Sequence, residues 1–223
     1  MKGQSERVPG KNLRPFCGKP LCLWALETLA TCHSIKHIIV DTDSKEIANC
    51  VRKIEKVHIH IRPTHLHGNN VPMNKILNCI LQHDSIDNVH YIQSHATNPL
   101  ITAETIEKAI NTYFELLGFY DSLFSVTKMQ MRLYDEVGKP INHNPEILLN
   151  TQDLPPIFEE NSNIYIFSRT SFALSGGRRI GMKPYMFSMS KYEAFDIDTE
   201  EDFKLAEAAL RVAQIGISPY NCR

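Results

Sequence analysis

The sequence predicts an α/β fold, a parallel sheet with helices on both faces, over a single domain spanning residues 1–223. Three observations carry that reading. Short apolar, β-branched runs alternate with longer segments of helical period from residue 19 to 129. The runs are separated by whole helices rather than tight turns, as parallel strands require. Hydrophobic residues make up 43% of the 223, enough for one substantial core.

The elements follow in order. Residues 1–15 are loop-like. KPLCLWALETLATC sets Leu21, Leu23, Trp24, Leu26 and Leu29 at helical spacing. KHIIVDTD is a buried strand ending in acids, and SKEIANCVRKIE is a helix with Ser44 as N-cap. KVHIHIRP alternates and stops at a proline, as a strand does. PMNKILNCILQH is a helix, VHYIQSHA a strand, TAETIEKAINTYFELL a helix capped by Thr102, and SLFSVTKM a strand. The rhythm then breaks into a polar, proline-rich stretch with a turn at Gly138-Lys139-Pro140. NIYIFSRTSF and YMFSMSKYEAFDID are read as strands. TEEDFKLAEAALRVAQI is a terminal helix with Thr199 as N-cap and acids in its first turn. The irregular residues 129–160 are expected to be an insertion within the domain.

Composition narrows the function. The formal net charge of −1 supplies no global basic field for coating nucleic acid, so any anion site is local. No apolar run reaches the roughly eighteen residues of a membrane span, and the start lacks the apolar stretch of a signal peptide. Cys17, Cys22, Cys32, Cys50, Cys79 and Cys222 are scattered without a C-x-x-C pair, which suggests reduced thiols and a cytoplasmic location.

Two stretches carry chemistry. In MKGQSERVPGKN, Gly3 and Gly10 permit backbone turns that point several N–H groups at one place. Ser5 adds a hydroxyl, and Lys2, Arg7 and Lys11 add the charge a triphosphate needs. A loop handing over to a helix is a common phosphate site, although the Walker A pattern is not met and a solvated tail is the plainer alternative. In DIDTEEDF, Asp196 and Asp198 stand two apart at the end of an expected strand, so both carboxylates share one face. Hard oxygen ligands suit Mg²⁺; helix capping accounts for the acids that follow but not for Asp196. The pairs His58/His60 and His65/His67 could bind zinc, but strand face and loop explain them more simply. Asp41 and Asp43 are either a site or the cap region of the next helix. Arg62, ending a strand, could reach a base or phosphate.

These residues resemble the acylneuraminate cytidylyltransferase family, which activates nine-carbon and related acidic sugars as CMP derivatives. SERVPGKN is similar to its signature loop, with Ser5, Pro9, Lys11 and Asn12 in the matching places. GKPLCLWALETL, IIVDTDSKEIA, IRP, ATNPLITAETIEKAI, TQDLPPIFEENSNIYIF and EAFDIDTEEDFKLAE resemble later family segments in the right order, across nearly the whole chain.

The resemblance implies a Rossmann-like, mostly parallel sheet of the nucleotide-diphospho-sugar transferase type. It implies a first strand ahead of the basic loop that this sequence lacks, and a late dimerisation element at 129–160, hence a homodimer. It also implies an Mg²⁺-dependent reaction of CTP with an acidic sugar. Lys2, Gly3, Ser5, Arg7, Lys11 and Asn12 would hold the triphosphate, with Lys11 and Asp198 catalytic. Arg62 would meet the cytosine side, Asp196 and Asp198 the metal. Gln93, His95, Gln152 and Asn161 would be active-site or sugar positions. Departures fall mainly on the sugar side. Lys2 replaces an arginine, His95 a glutamine and Ile101 an arginine; ENSN replaces Asn-Gly, and Asn150 and Thr151 precede Gln152 without an arginine. For a sugar carboxylate the candidates are Lys128, Arg132 and Lys139. Two other readings stay open. One is a nucleotidyltransferase for another sugar such as Kdo, whose enzymes share the segment seen here at Gly18–Leu21. The other is a non-catalytic nucleotide-binding homologue.

Overall fold

The computed structural model describes residues 1–68, 70–83 and 90–214. An irregular loop, residues 1–14, leads into a minimal hairpin of β1 (Pro15–Phe16) and β2 (Lys19–Pro20). Cys17 and Gly18 turn it with φ of 45° and 93°, the pair of left-handed residues that a two-residue hairpin turn requires. Then come α1 (Leu21–Thr31), β3 (Ile38–Thr42), α2 (Lys45–Val51) and β4 (Val57–Ile61). β3 and β4 pair in parallel, from Ile38 opposite Val57 to Thr42 opposite Ile61. The Ile47 amide donates to the Ser44 hydroxyl at 3.2 Å, which caps α2 and fixes where β3 ends.

The second half runs α3 (Met73–His83), β5 (His90–Gln93), α4 (Ala103–Leu116), β6 (Ser122–Met129), β7 (Ile157–Ser168), α5 (Arg169–Leu174), β8 (Pro184–Met189) and α6 (Glu200–Gln214). Thr102 caps α4, accepting from the Thr105 amide, and Thr199 caps α6, accepting from the Asp202 amide. The strand expected over NIYIFSRTSF ends earlier, at Ser168. There Ser168 and Ser171 form a reciprocal capping box and start α5. The last expected strand also ends early, at Met189, so Asp196 and Asp198 lie in a loop beyond it.

The sheet is only partly parallel. β5, β7, β6 and β8 form a four-stranded sheet in that order, separate from the β3–β4 pair. β6 and β8 are parallel, but β7 runs antiparallel to both β5 and β6. The reason lies in the connection. The chain leaves β6 at Met129, makes an excursion with one 3-10 turn at Thr151–Asp153 and no α-helix to cross the sheet, and returns beside β6 in the opposite direction. The excursion, residues 130–156, carries one isolated bridge between Tyr134 and Pro140. Its outer residues Val137 and Leu148 are 82% and 88% exposed. Among the described residues β3 has β4 as its strand neighbour and β5 has β7, so each has one.

Three apolar clusters hold the layers. The largest joins α1, α2 and α4 to β3, β6 and β7 through Leu26, Val40, Ile47, Ile106, Leu123 and Ile164. A second joins Val8, Phe16 and Leu21 to Ile197, Phe203 and Ala206 of the C-terminal segment. A third packs Leu77 and Leu81 of α3 on Tyr165, Phe167 and Phe172. No helix among the described residues is long and apolar enough to cross a membrane.

Phe203 stacks edge-on to Phe16 at 5.3 Å, and the Arg14 guanidinium sits 4.2 Å over its ring. Phe203→Ala is expected to lower stability by about 3–5 kcal/mol, read as a lower midpoint in urea unfolding with an unchanged slope.

Candidate active site

A cavity of about 1360 Å³ opens where the first loop, β3, β4, β5 and the segment before α6 converge. The loop is shaped from within. Gly10 has φ 63°, and its carbonyl accepts from the amides of Leu13 and Arg14 at 2.9 and 3.0 Å. Asn12 is buried, and its Nδ2 donates to the Lys2 carbonyl at 2.9 Å, tying the two ends of the loop together. The Gly3 amide donates to Asp43 Oδ1 at 2.6 Å. A Cβ on Gly3 would stand 2.7 Å from Ser44 Cβ, so the residue must lack one. The expected hand-over from loop to helix is corrected: β1 and β2 intervene, and α1 begins after Pro20 with no side-chain cap.

Opposite the loop stand the two acids. Lys11 Nζ donates to the Ile197 carbonyl at 2.5 Å and lies 3.5 Å from Asp198 Oδ1. Arg7 donates to the same Oδ1 at 2.8 Å. The segment is pinned by the Ile197 amide, which donates to Thr97 O at 3.0 Å, and by Ile197 itself, which is fully buried. Asp196 and Asp198 flank that anchor and both line the cavity. Asp196 Oδ1 is buried with no hydrogen-bond partner. A buried carboxylate oxygen without a donor is costly unless a cation meets it, and a hard oxygen of this kind fits Mg²⁺, while Asp198 Oδ1 is held by Arg7 and Lys11. A different group, His60, Cys79 and His83, also gathers potential metal donors; its nitrogen and sulfur atoms suit softer ions than Mg²⁺.

On the remaining wall, Arg62 is 4% exposed; its Nε donates to Asp41 Oδ2 at 2.6 Å, while its Nη1 is buried without a partner. Gln93 and His95 lie 3.0 Å apart. Arg179 donates to Gln93 Oε1 at 2.9 Å, and its guanidinium stacks 3.6 Å over the Tyr165 ring. Arg179 does not line the cavity itself but supports Gln93 from behind; sequence reasoning missed it, its only local signal being the Gly176-Gly177 turn before it, both residues at positive φ. Lys2, Ser5, Arg7, Lys11, Asn12, Arg62, Gln93, His95, Asp196 and Asp198 all line the cavity.

Several expected residues lie elsewhere. Asn161 is absent from the lining and is engaged inside the sheet: its Oδ1 accepts from Ser125 at 2.5 Å and its Nδ2 donates to Thr127 at 3.1 Å. These bonds bridge the register break between Phe124 and Val126, so a β-bulge uses the side chain. Gln152 is exposed in the excursion and does not line the cavity, nor do Lys128, Arg132 and Lys139. Arg132 instead donates to the Leu149 carbonyl.

Burial pushes the His95 imidazole below its usual range; nearby Arg179 acts in the same direction, and Asp196 only partly opposes them. The unfolded value is about 6.5. An unfolded chain therefore takes up this proton before the folded one does. The His95 contribution to stability is full above about pH 6.5 and is lost as pH falls below it. Melting temperature followed from pH 8 to pH 5 is expected to fall more steeply for the wild type than for His95→Gln.

Comparisons with known proteins give the family and the fold. Residues 1–217 match the family model described as cytidylyltransferase. The chain is 25% identical to post-translational flagellin modification protein B of Campylobacter coli, over 94% of this chain and 92% of that protein. It is 25% identical to CMP-N,N'-diacetyllegionaminic acid synthase of Campylobacter jejuni, over 92% and 90%. It is 28% identical to N-acylneuraminate cytidylyltransferase A of Danio rerio over 96% of this chain, and spans 50% of that longer protein. The fold matches a synthetase of CMP:2-keto-3-deoxy-manno-octonic acid complexed with CTP, with a TM-score of 0.69 over 96% of both chains at 14% identity. With the signature loop and the paired acids brought to one cavity, and a family match running almost end to end, this chain belongs to the cytidylyltransferase family.

Proposed function

We propose that the protein transfers the CMP group of CTP to an acidic sugar of the nonulosonic type and releases pyrophosphate. One observation carries the proposal: a single cavity holds the cationic loop, with Lys11 and Arg7, against the acids Asp196 and Asp198. A sugar oxygen bonds to the α-phosphorus, the bond from that phosphorus to the bridging oxygen breaks, and the hydroxyl proton leaves to base or solvent. The protein's share is positioning and charge neutralisation. Lys11 and Arg7 would turn from Asp198 to the triphosphate, with Lys2 and Ser5 completing the cradle, while Gly3, whose amide is held by Asp43 and which does not line the cavity, would shape the loop. Buried Asn12 keeps the loop in shape. Arg62, with its spare Nη1, would bind the cytosine side. Asp196 and Asp198 would hold Mg²⁺, which supplies charge compensation for the phosphates. Gln93 and His95 would face the sugar; Arg179 lies behind them, bonded to Gln93 and outside the cavity lining, so it would hold Gln93 in place rather than meet the sugar carboxylate itself. The relatives named for legionaminic and neuraminic acid derivatives support the sugar class.

Two structural expectations belong to this reading. We propose that the exposed apolar excursion, with Val137 and Leu148 at its surface, pairs with a second copy to form a homodimer. Leu148→Asp is expected to give a monomer in sedimentation velocity where the wild type sediments as a dimer. We also propose that one more extended segment completes the sheet between β3 and β5. Both strands line the cavity, each has one strand neighbour among the described residues, and unmet backbone groups in such a place are costly.

The test is pyrophosphate release from CTP and Mg²⁺ with a panel of nonulosonic acids and Kdo. It would be run on this chain and on one carrying an apolar strand ahead of Met1. Release with one sugar names the substrate; release only from the extended chain assigns the added strand. CTP binding without release in either form would favour a non-catalytic homologue. Lys11→Ala is expected to weaken CTP binding by about tenfold to a hundredfold, the worth of a charged hydrogen bond. Asp198→Asn is expected to abolish turnover while leaving the melting temperature near that of the wild type.

A further inference from the structure

A second cluster of reactive side chains lies apart from Asp196 and Asp198. His60 on β4 and Cys79 and His83 on α3 each bring a donor atom to within 4.8 Å of the others. Cys79 and His83 are four residues apart and so share one face of the helix. The His60 ring faces them, its centroid 5.8 Å from that of His83. The tautomer of each ring follows from its neighbours. Nδ1 of His60 lies 2.9 Å from Asp41 Oδ1, which leaves Nε2 to carry the lone pair. Nδ1 of His83 lies 2.7 Å from the Cys79 carbonyl and donates to it, which leaves the lone pair on Nε2; Cys79 Sγ lies 3.9 Å from that same Nδ1, so ligation by His83 requires its ring to turn. A carboxylate behind a histidine is the arrangement that aims an imidazole at a metal.

We propose that His60, Cys79 and His83 bind a zinc-class divalent cation, with Asp41 as the orienting carboxylate. Two imidazoles and a thiolate are ligands of Zn²⁺, whereas Mg²⁺ takes oxygens. Tetrahedral bonds of the usual lengths set such donors about 3.3–3.7 Å apart, so side-chain rotations that draw the three donors slightly together complete the site. On binding, the Cys79 thiol loses its proton to solvent and the histidines bind neutral. Three protein ligands leave a fourth position for water. His60 and His83 line the large cavity, so that position lies on its side. The metal would also act as a clamp. α3 is packed through Leu77 and Leu81 on the four-stranded sheet, while His60 belongs to the β3–β4 pair. One ion would join the two sheets.

The test uses the full chain, stripped with chelator and titrated with Co²⁺ and Zn²⁺. The expected result is one ion per chain, a visible tetrahedral Co²⁺ spectrum with a thiolate charge-transfer band, and a higher melting temperature with Zn²⁺. Cys79→Ser and His83→Ala should lose the band and the thermal shift. Asp41→Asn should weaken binding about tenfold to a hundredfold, and Asp198→Asn should leave the band intact. Circular dichroism of the metal-free variants separates lost ligation from lost fold. No uptake by the wild type, uptake unchanged in Cys79→Ser, or a Co²⁺ spectrum without the thiolate band would each overturn the assignment.

Discussion

The apolar seam between the first loop and the last helix is the contact on which the site depends. Val8, Phe16 and Leu21 meet Ile197, Phe203 and Ala206, all of them buried. Full burial of a large apolar side chain is worth about 1.5–3 kcal/mol. The ion pair nearby, Arg7 with Asp198, has side chains 65% and 46% exposed and belongs to a class worth about 0–1 kcal/mol. The seam therefore closes the two ends of the chain on each other, and the ion pairs follow. Lys11 meets Asp198 across 187 residues because Val8 and Ile197 are already packed beside them.

Asp41 plays a comparable part on the far wall. One oxygen accepts from Arg62 and the other meets His60. The same carboxylate thus holds a cavity cation and a histidine of the second cluster. Its position follows from the parallel register, which sets Asp41 opposite His60 on adjacent strands. A change at either partner is transmitted through a single side chain that is 9% exposed.

Much of the element order is legible in the sequence. Period identified α1 to α4 and α6, and Ser44, Thr102 and Thr199 are strong local signals of where α2, α4 and α6 start. Sheet direction was less legible. The run NIYIFS reads equally well in a parallel or an antiparallel sheet, and the choice rests on how the chain returns from its excursion. The short α5 was hidden because its capping box, Ser168 with Ser171, interrupts an apolar run that looks like continuous strand.

The site divides in the same way. The residue types of the loop and the spacing of Asp196 and Asp198 are local facts, and sequence alone determined that these residues were candidates for an anion and a metal. Only the tertiary structure decided which side chains share the cavity. It turned Asn161 to a β-bulge and left Gln152 outside; it brought Arg179 to Gln93 and set Cys79 and His83 against His60. Those pairings depend on strand register and helix docking, which are set by the burial of distant apolar residues and leave no trace in the spacing of the residues they bring together.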